Sequence, residues 1–201
     1  MKITTFKEPF EHIIINDFFD KNELEKIWNE IKFLKDSSGF DDVRNTEPAI
    51  DYANNEILAS RTGVFLENFY VNHRQNSLIY KFTRKLYNIV SELPDIDILK
   101  EQIANTNVDA TLVSIYKDQD YYKSHRDRCI ISILIYLWED NKKFTGGDLI
   151  FEKYNHTIIP QNNMCLIFQS CNKHEVSKIE KCVDEDVEFL RVVISTFLNV
   201  K

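Results

Sequence analysis

This chain has no excess of basic residues and no long hydrophobic run. Its 25 Lys and Arg residues are outnumbered by 32 Asp and Glu residues, which gives a formal net charge of −7. A general nucleic-acid binder needs surplus Lys and Arg to neutralise phosphates, so the composition argues against that class. The longest apolar stretch, residues 130–138, is interrupted by Ser132 and is much shorter than the roughly 20 residues that span a bilayer. We therefore expect neither a nucleic-acid partner nor a membrane partner.

Cysteine and glycine are also scarce. The four cysteines form no CxxC pair and show no spacing typical of a disulfide framework. The first residues contain no apolar core of signal-peptide length, and these absences together favour a reduced, cytoplasmic location. Hydrophobic residues make up 43% of the chain and aromatic residues 12%, which is enough to build a buried core and excludes a disordered protein.

The first half of the chain predicts helices. Asp20 and Glu23 have the spacing of a capping box, and apolar side chains recur after them at helical spacing. A later helical pattern ends before Pro94, as expected for the residues that precede a proline. The predicted elements are a strand over residues 12–17, a helix over about 21–35, a polar loop over 36–60, and helices over 63–70 and 76–93.

The character of the sequence changes after about residue 105. Seven or eight short segments follow that are rich in β-branched and aromatic residues and are separated by turn signals. Such spacing is typical of a sandwich or a barrel. We predict a mainly β protein with N-terminal α structure, in which residues 1–104 pack outside an antiparallel barrel or jelly roll formed by residues 105–201, within one structural domain.

Residues able to carry chemistry cluster in this second half. Side chains two apart on a strand point to the same side, so His125 and Asp127 can face into a barrel together. The pattern HxD alone is common by chance. A double glycine at residues 146–147 predicts a hairpin turn, and His174 begins a later strand. Together, the two histidines and Asp127 would form the two-His, one-carboxylate face associated with non-haem Fe(II).

A charged residue also interrupts the last apolar strand. Arg191 lies between Leu190 and Val192 and must either reach solvent or pair with an anion, because an unpaired buried charge is costly. With this residue, the order Y…YxxHxD…YL…GGxLxF…HEV…R over about residues 108–199 resembles the Fe(II)/2-oxoglutarate-dependent oxygenases, and among them the prolyl 4-hydroxylase branch. The segment "HIIINDFFDKNELEKI" is similar to the strand-then-helix entry of that branch, and "SRTGVFLENF" is similar to its peptide-handling "RTSSGxFL" segment.

The resemblance implies a fold, a metal and two cosubstrates. The fold is a double-stranded β-helix, or jelly roll, with flanking helices. His125, Asp127 and His174 would ligate Fe(II) and form the catalytic centre, with 2-oxoglutarate and O2 as cosubstrates and ascorbate as an optional cofactor. Retention of Asp127 favours hydroxylation over halogenation, because halogenating relatives lack this carboxylate.

The resemblance also assigns the cosubstrate. Arg191 would bind the distal carboxylate of 2-oxoglutarate, since its planar fork suits a carboxylate better than Lys does. Tyr136 would add a hydroxyl to the same carboxylate, and Tyr116 would reach the metal-side end of the molecule. Ser195 shares a strand face with Arg191 and joins the predicted cosubstrate residues.

For the substrate, the resemblance implies a prolyl residue in a protein or peptide, or a proline-like substrate. Arg61 is a candidate anchor for a substrate carbonyl or carboxylate, and a surface arginine beside a helix is the alternative. Tyr122 is a candidate pocket wall or, equally, an aromatic at the barrel edge. A free amino acid or another small molecule remains open as the substrate.

Other interpretations also remain. One is a barrel that binds a metal or a small acid without turnover, and another is a structural zinc site formed by Cys165, Cys171 and His174. The nucleic-acid dealkylase branch ranks lower, because position 197 is Phe where that branch has a second Arg. The interval between His174 and Arg191 is long, and the sequence "DEDVE" within it is interpreted as a lengthened hairpin turn.

Overall fold

A computed structural model of the chain describes residues 1–41, 49–51, 53–139, 141–184 and 186–201. The α-helices in these ranges are α1 (Lys21–Asp36), α2 (Leu66–Phe69), α3 (His73–Asn76), α4 (Leu78–Thr83), α5 (Lys85–Ser91) and α6 (Asp97–Ala104). The strands are β1 (Lys2–Phe6), β2 (His12–Asn16), β3 (Ile50–Asp51), β4 (Glu56–Ile57), β5 (Ala59–Ser60), β6 (Thr62–Phe65), β7 (Val108–Tyr116), β8 (Tyr121–His125), β9 (Ile131–Leu137), β10 (Phe144–Gly146), β11 (Leu149–Phe151), β12 (His156–Ile158), β13 (Met164–Gln169), β14 (His174–Val176), β15 (Ile179–Lys181) and β16 (Arg191–Asn199).

The predicted capping box begins α1. The Asp20 carboxylate accepts a hydrogen bond from the Glu23 backbone N–H at 2.8 Å, and the Glu23 side chain accepts one from the Asp20 N–H at 2.9 Å. These bonds satisfy two of the backbone donors that a helix start leaves without a partner. The apolar stripe of α1, including Ile27, Ile31 and Leu34, is buried, so the predicted helix is confirmed.

Two antiparallel sheets face each other and enclose the interior. The major sheet has seven strands in the order β1-β2-β13-β9-β16-β7-β6, and the minor sheet has five in the order β12-β11-β14-β8-β5. Two-stranded ribbons, β10-β15 and β3-β4, accompany them. Strands β1, β2, β5 and β6 come from the first 104 residues, so both sheets combine strands from both halves of the chain.

The major sheet separates two hydrophobic cores. Helices cover its outer face, where Ile133 and Ile135 of β9 join the larger core. Its inner face packs towards the minor sheet, where Leu134 and Tyr136 of the same strand join the second core. All seven residues of β9 are buried, because the strand is covered on both faces. The alternation along β9 therefore directs every second side chain into the interior between the sheets.

Several predicted elements differ from the observed ones. The helix expected over residues 63–70 is wrong for its first half, since Thr62–Phe65 pairs with β7 as β6 and only α2 is helical. The loop expected over 36–60 contains the last residue of α1 and the short strands β3, β4 and β5, while residues 42–48 and 52 lie outside the described part. Helix α6 and strand β1 were not predicted.

Two turns predicted as hairpins connect different sheets instead. Gly146 ends β10, which pairs with β15, whereas the following β11 pairs with β12 and β14. The segment between β15 and β16 likewise joins a ribbon strand to a strand of the major sheet. Both hairpin predictions are therefore wrong. A turn sequence predicts a change of chain direction, but it does not predict which strands pair.

His12 belongs to the N-terminal pair of strands, β1 and β2. Its side chain on β2 is buried and its ring stacks on Phe6, with 4.5 Å between ring centroids.

None of the helices among the described residues is long and apolar enough to cross a membrane.

Candidate active site

The fold brings together three side chains that are distant in sequence. His125 ends β8 and pairs directly with His174, the first residue of β14 on the neighbouring antiparallel strand. Asp127 follows two residues after His125 and turns to the same side. The Asp127 carboxylate lies 3.4 Å from His125 Nε2 and 3.7 Å from His174 Nε2. One ligand atom from each of the three residues lies within 4.8 Å of the others, which is close enough for a single metal ion to bind all three.

The backbone fixes the orientation of both imidazole rings. His125 Nδ1 lies 2.8 Å from the carbonyl oxygen of Lys123, and His174 Nδ1 lies 2.9 Å from that of Asn172. A carbonyl only accepts hydrogen bonds, so Nδ1 donates in each ring, and Nε2 is the nitrogen that carries the lone pair when the imidazole is neutral. This arrangement is typical of metal-ligating histidines. Burial lowers the pKa of His174, which favours the neutral imidazole that a metal requires.

A chain of small polar side chains holds the Asp127 carboxylate. Ser132 of β9 donates to Asp127 Oδ2 at 2.5 Å, and the hydroxyl of Ser170 lies 2.7 Å from that of Ser132. Cys129 Sγ lies 2.9 Å from the Ser170 hydroxyl and extends the chain. Burial alone would raise the pKa of Asp127, but the His125 hydrogen bond, the charges of both histidines and the Ser132 hydroxyl outweigh it and lower the pKa. The carboxylate therefore stays ionised and oriented.

Arg191 is a buried cation beside this triad. It begins β16, is 1% exposed, and its guanidinium lies 5.0 Å from the ring centroids of both Tyr116 and Tyr136. Its Nε and Nη1 atoms have no hydrogen-bond partner among the described residues, and neither does the buried hydroxyl of Tyr136. Burial lowers the pKa of Arg191. A buried guanidinium with unused donors is costly, so the interior is built to receive an anion.

Gly147 creates part of the space for this cation. Its backbone has φ of +71°, and a Cβ at this position would lie 2.7 Å from Nη1 of Arg191. The double glycine therefore does more than reverse the chain between the two sheets. It also lets the backbone approach the guanidinium, which no larger residue would permit.

The triad and Arg191 line one cavity between the sheets. Tyr116, Tyr136 and Ser195, which were predicted to contact the cosubstrate, line the same cavity. Its apolar walls come from both sheets and were not assigned from the sequence. They include Leu112, Leu134, Leu149, Val176 and Val193. The two-residue period from Tyr116 back to Ser114 and Leu112 was the available signal for the β7 part of this wall.

The two predicted substrate residues lie at the outer end of the cavity. The Tyr122 ring stacks on His125, with 3.6 Å between centroids and 9° between planes. The Arg61 guanidinium lies over the Tyr122 ring, 5.6 Å from its centroid. Both residues also line a wider outer cavity of about 660 Å³. Tyr122 is thus a pocket wall, and Arg61 lies at the opening between β5 and β6 rather than beside a helix.

The alternative zinc site is not formed. Cys165 lies on β13 in the helix-side core, on the opposite face of the major sheet from the cavity. Cys171 is exposed. Within the part of the chain that the structure describes, the triad is the only group of three or more His, Cys, Asp or Glu residues arranged to hold a metal.

The donor set fits the metal and the cosubstrate that the sequence implied. Two imidazoles and one carboxylate on one side of a buried cavity are the donors of non-haem Fe(II) sites with open coordination positions. The unpartnered guanidinium nitrogens and the Tyr136 hydroxyl offer donors to a carboxylate in the same cavity. These features define a class of protein, a double-stranded β-helix with a non-haem iron site.

Comparisons with known proteins name the family within this class. Residues 111–199 match the family model of the 2OG-Fe(II) oxygenase superfamily. The matched part of the chain is similar to this superfamily, whose members use Fe(II), 2-oxoglutarate and O2. No curated protein matches the chain by sequence.

Solved structures share the fold. A prolyl-4-hydroxylase from Pseudomonas putida superposes with a TM-score of 0.65 at 13% identity, covering 94% of this chain and 92% of that one. The viral collagen prolyl hydroxylase of Paramecium bursaria Chlorella virus-1, solved with 2-oxoglutarate, gives 0.54 at 18% identity and covers 94% and 96%. A putative oxygenase from Shewanella oneidensis gives 0.54 at 11% and covers 94% and 82%. These likenesses confirm the predicted double-stranded β-helix.

Proposed function

We propose that the protein is an Fe(II)- and 2-oxoglutarate-dependent dioxygenase that hydroxylates an unactivated C–H bond of a prolyl residue in a peptide or protein. The observation that carries this proposal is the presence, in one cavity, of the His125, Asp127 and His174 ligand atoms and of a buried guanidinium whose Nε and Nη1 have no hydrogen-bond partner among the described residues. The fold likeness to prolyl hydroxylases supports the choice of substrate class.

His125, Asp127 and His174 would hold the iron through two Nε2 atoms and one carboxylate. When bound, Fe(II) with 2-oxoglutarate and O2 supplies the oxidation that inserts one oxygen atom into the C–H bond and yields succinate and CO2. The backbone carbonyls of Lys123 and Asn172 keep both imidazoles in the metal-binding tautomer. Ser132 keeps the carboxylate turned towards the histidines.

Arg191 and Tyr136 would bind the distal carboxylate of 2-oxoglutarate. The guanidinium contributes charge and donors, and the Tyr136 hydroxyl contributes a further donor because burial raises its pKa and keeps it protonated. Tyr116 and Ser195 would contact the rest of the cosubstrate from β7 and β16. The apolar walls between the sheets exclude water, which strengthens each of these polar contacts.

Arg61 and Tyr122 would meet the substrate where the inner cavity opens to the outer one. Tyr122 covers the exposed side of His125, and Arg61 is held against Tyr122. A substrate carbonyl or carboxylate at this opening would receive the Arg61 donors while its target carbon points to the metal.

The proposal is tested in two stages. Purified protein given Fe(II) without oxygen should develop a visible charge-transfer band only when 2-oxoglutarate is added, and Asp127→Ala should abolish it. With oxygen, proline-containing peptides should gain the mass of one oxygen atom and stimulate succinate formation. A missing band refutes the oxygenase assignment. A normal band with oxygen gained by free proline, but by no peptide, refutes the peptide substrate.

A barrel that binds a metal or a small acid without turnover makes a different prediction. It would bind 2-oxoglutarate but form no succinate above the iron-only background. The wild-type protein and Asp127→Ala would then give equal succinate, whereas an oxygenase loses succinate formation in this variant.

A further inference from the structure

A second, outer cavity adjoins the inner one. It has a volume of about 660 Å³, and Tyr122, His125 and Asp127 line both cavities. A space of this size lies within the range of ligand sites. A substrate that approaches the triad from this side contacts the walls of the outer cavity.

Cations alternate with the metal ligands along the rim of the cavity. In the sequence His125-Arg126-Asp127-Arg128, the two ligands point inwards and the two arginines are exposed. Lys173, which precedes His174, is exposed in the same way. Arg126, Arg128 and Lys173 all line the outer cavity together with Arg61. The alternation of side chains along an extended chain thus places a positive charge beside each metal ligand, on the solvent side.

One of these cations is fixed in place. Arg126 Nε donates to the carbonyl oxygen of Cys171 at 2.9 Å, a contact that joins the end of β8 to the segment before β14. Arg126 and Lys173 also line an adjoining surface groove with Lys153, and Glu152 is the one carboxylate among the described residues that line it. The positive surface therefore extends from the metal opening along one side of the barrel.

Among the described residues that line this cavity, the four cations outnumber the three carboxylates. Besides the ligand Asp127, the acidic residues that line the described outer cavity are Asp51 and Asp109. Asp109 already forms ion pairs with Arg74 and Arg84, and Asp51 accepts hydrogen bonds from the local backbone and Asn54. In a chain with net charge −7, the described part of this opening is positive, the reverse of the whole molecule.

We propose that this opening selects an acidic peptide, one that carries carboxylates on both sides of the residue to be hydroxylated. The inference rests on the proposed function for the position of the reacting residue. Arg126, which follows β8, and Lys173, which precedes β14, bind the flanking carboxylates. Opposite charge at the opening raises the rate of encounter and suppresses basic partners, as it does at other charged interfaces.

The test measures binding directly. Protein loaded with Fe(II) and 2-oxoglutarate without oxygen is titrated into capped heptapeptides, Ala-Glu-Glu-Pro-Glu-Glu-Ala and its Gln and Lys analogues, each carrying a neutral dye. Fluorescence anisotropy gives Kd at low and at physiological salt. We expect the Glu peptide to bind about five- to tenfold more tightly than the Gln peptide, the Lys peptide to bind most weakly, and the difference to shrink with salt.

Variants identify the cations responsible. In Arg126→Gln/Lys173→Gln, the ratio between the Gln-peptide and Glu-peptide Kd values should fall towards one, and a ratio also cancels general damage to the protein. Lys26→Gln on the exposed face of α1 is the matched control and should leave the ratio unchanged. Equal binding of the Glu and Gln peptides by the wild-type protein overturns the proposal, and so does stronger competition by a single-stranded oligonucleotide of equal charge.

The failure of this inference and that of the proposed function are distinguishable. A missing 2-oxoglutarate charge-transfer band refutes the oxygenase assignment itself. A normal band with no preference among the peptides refutes only the proposed selectivity for an acidic peptide. Selective binding of the Glu peptide without any gain of oxygen in air supports the selectivity of the opening for acidic peptides and refutes the prolyl target.

Discussion

Gly147 lies directly against the guanidinium of Arg191. The contact joins the corner between β10 and β11 to the first residue of β16, and a Cβ at residue 147 would come within 2.7 Å of Nη1. The position of the one buried cation in the described cavity therefore depends on a residue without a side chain. The same glycine has φ of +71°, so both its backbone and its surroundings disfavour any replacement.

We predict that Gly147→Ala weakens 2-oxoglutarate binding as well as stability. The left-handed backbone should cost about 1–2 kcal/mol of unfolding free energy, and the added methyl group should displace Arg191. Isothermal titration with 2-oxoglutarate and thermal unfolding measure the two effects. Asn155→Ala is the control, because Asn155 has φ of 47° away from the cavity and should lose stability alone. Unchanged 2-oxoglutarate affinity in Gly147→Ala would refute the predicted displacement of Arg191.

Arg191→Ala should raise the KM for 2-oxoglutarate by a hundredfold or more. The substitution removes both the charge and the paired donors from a buried carboxylate site, at a cost of about 3 kcal/mol. Arg191→Lys should give an intermediate KM, because a lysine supplies charge without the planar fork. Initial rates of succinate formation at varied 2-oxoglutarate provide the measurement. Equal KM values in the wild type and Arg191→Ala would exclude this residue from the cosubstrate site.

Tyr136→Phe should have a smaller effect on the same constant. It removes one hydroxyl from the interior and keeps the ring that packs against Arg191, so we expect a loss of about 1 kcal/mol, or a fivefold rise in KM. If the Tyr136 hydroxyl contacts nothing in the loaded enzyme, KM will be unchanged and stability will rise, because an unsatisfied buried hydroxyl will have been removed.

Ser132→Ala should weaken metal binding by about ten- to a hundredfold, since partners that orient a metal ligand contribute this much. The variant loses the hydroxyl that donates to Asp127. Ser170→Ala, one bond further from the carboxylate, should show a smaller loss. Competition between the protein and a chromophoric chelator for Co(II) measures the affinity without turnover. If both variants bind Co(II) with the affinity of the wild type, Ser132 does not orient the metal ligand.

Stability should fall below neutral pH because of His12. Burial lowers its pKa in the folded protein, and the charge of His156 lowers it further against the opposing effect of the Phe10 carbonyl. The unfolded state binds the proton more readily, so this contribution is complete above a pH of about 6.5 and decreases as the pH falls below that value. Urea unfolding of the metal-free protein from pH 8 to pH 5 should show a steeper decline for the wild type than for His12→Gln. Parallel curves would contradict the prediction.

Local periodicity was sufficient to place the predicted site residues on shared strand faces. The two-residue period of strands put His125 beside Asp127, and the same parity put Arg191 and Ser195 on one face. An arginine in an apolar strand indicated an anion, and the structure shows this guanidinium buried, with Nε and Nη1 lacking a hydrogen-bond partner among the described residues. The long interval before Arg191 did not shift the register, because the extra residues connect two sheets outside the strands.

Features that depend on distant partners could not be predicted. Ser170, directly after β13, joins the hydrogen-bond network of Asp127, and no local sequence signal predicts this contact. Gly63 and Phe65 lie in a strand because β7 is available to pair with them, although the local pattern favours a helix. His12 is buried by Phe6 and Phe10, whose positions depend on how β1 folds back on β2. Each error occurs where tertiary contacts override a local preference.

The two-faced character of β16 limits how its length can vary. Arg191, Val193 and Ser195 line the cavity, while Val192 and Ile194 fill the core beneath the helices. A single inserted or deleted residue would exchange these roles along the rest of the strand, turning valine and isoleucine to the cosubstrate and polar side chains to the helices. Lineages of this protein should therefore accumulate length changes in the segment before Arg191 and almost none within the nine residues of the strand.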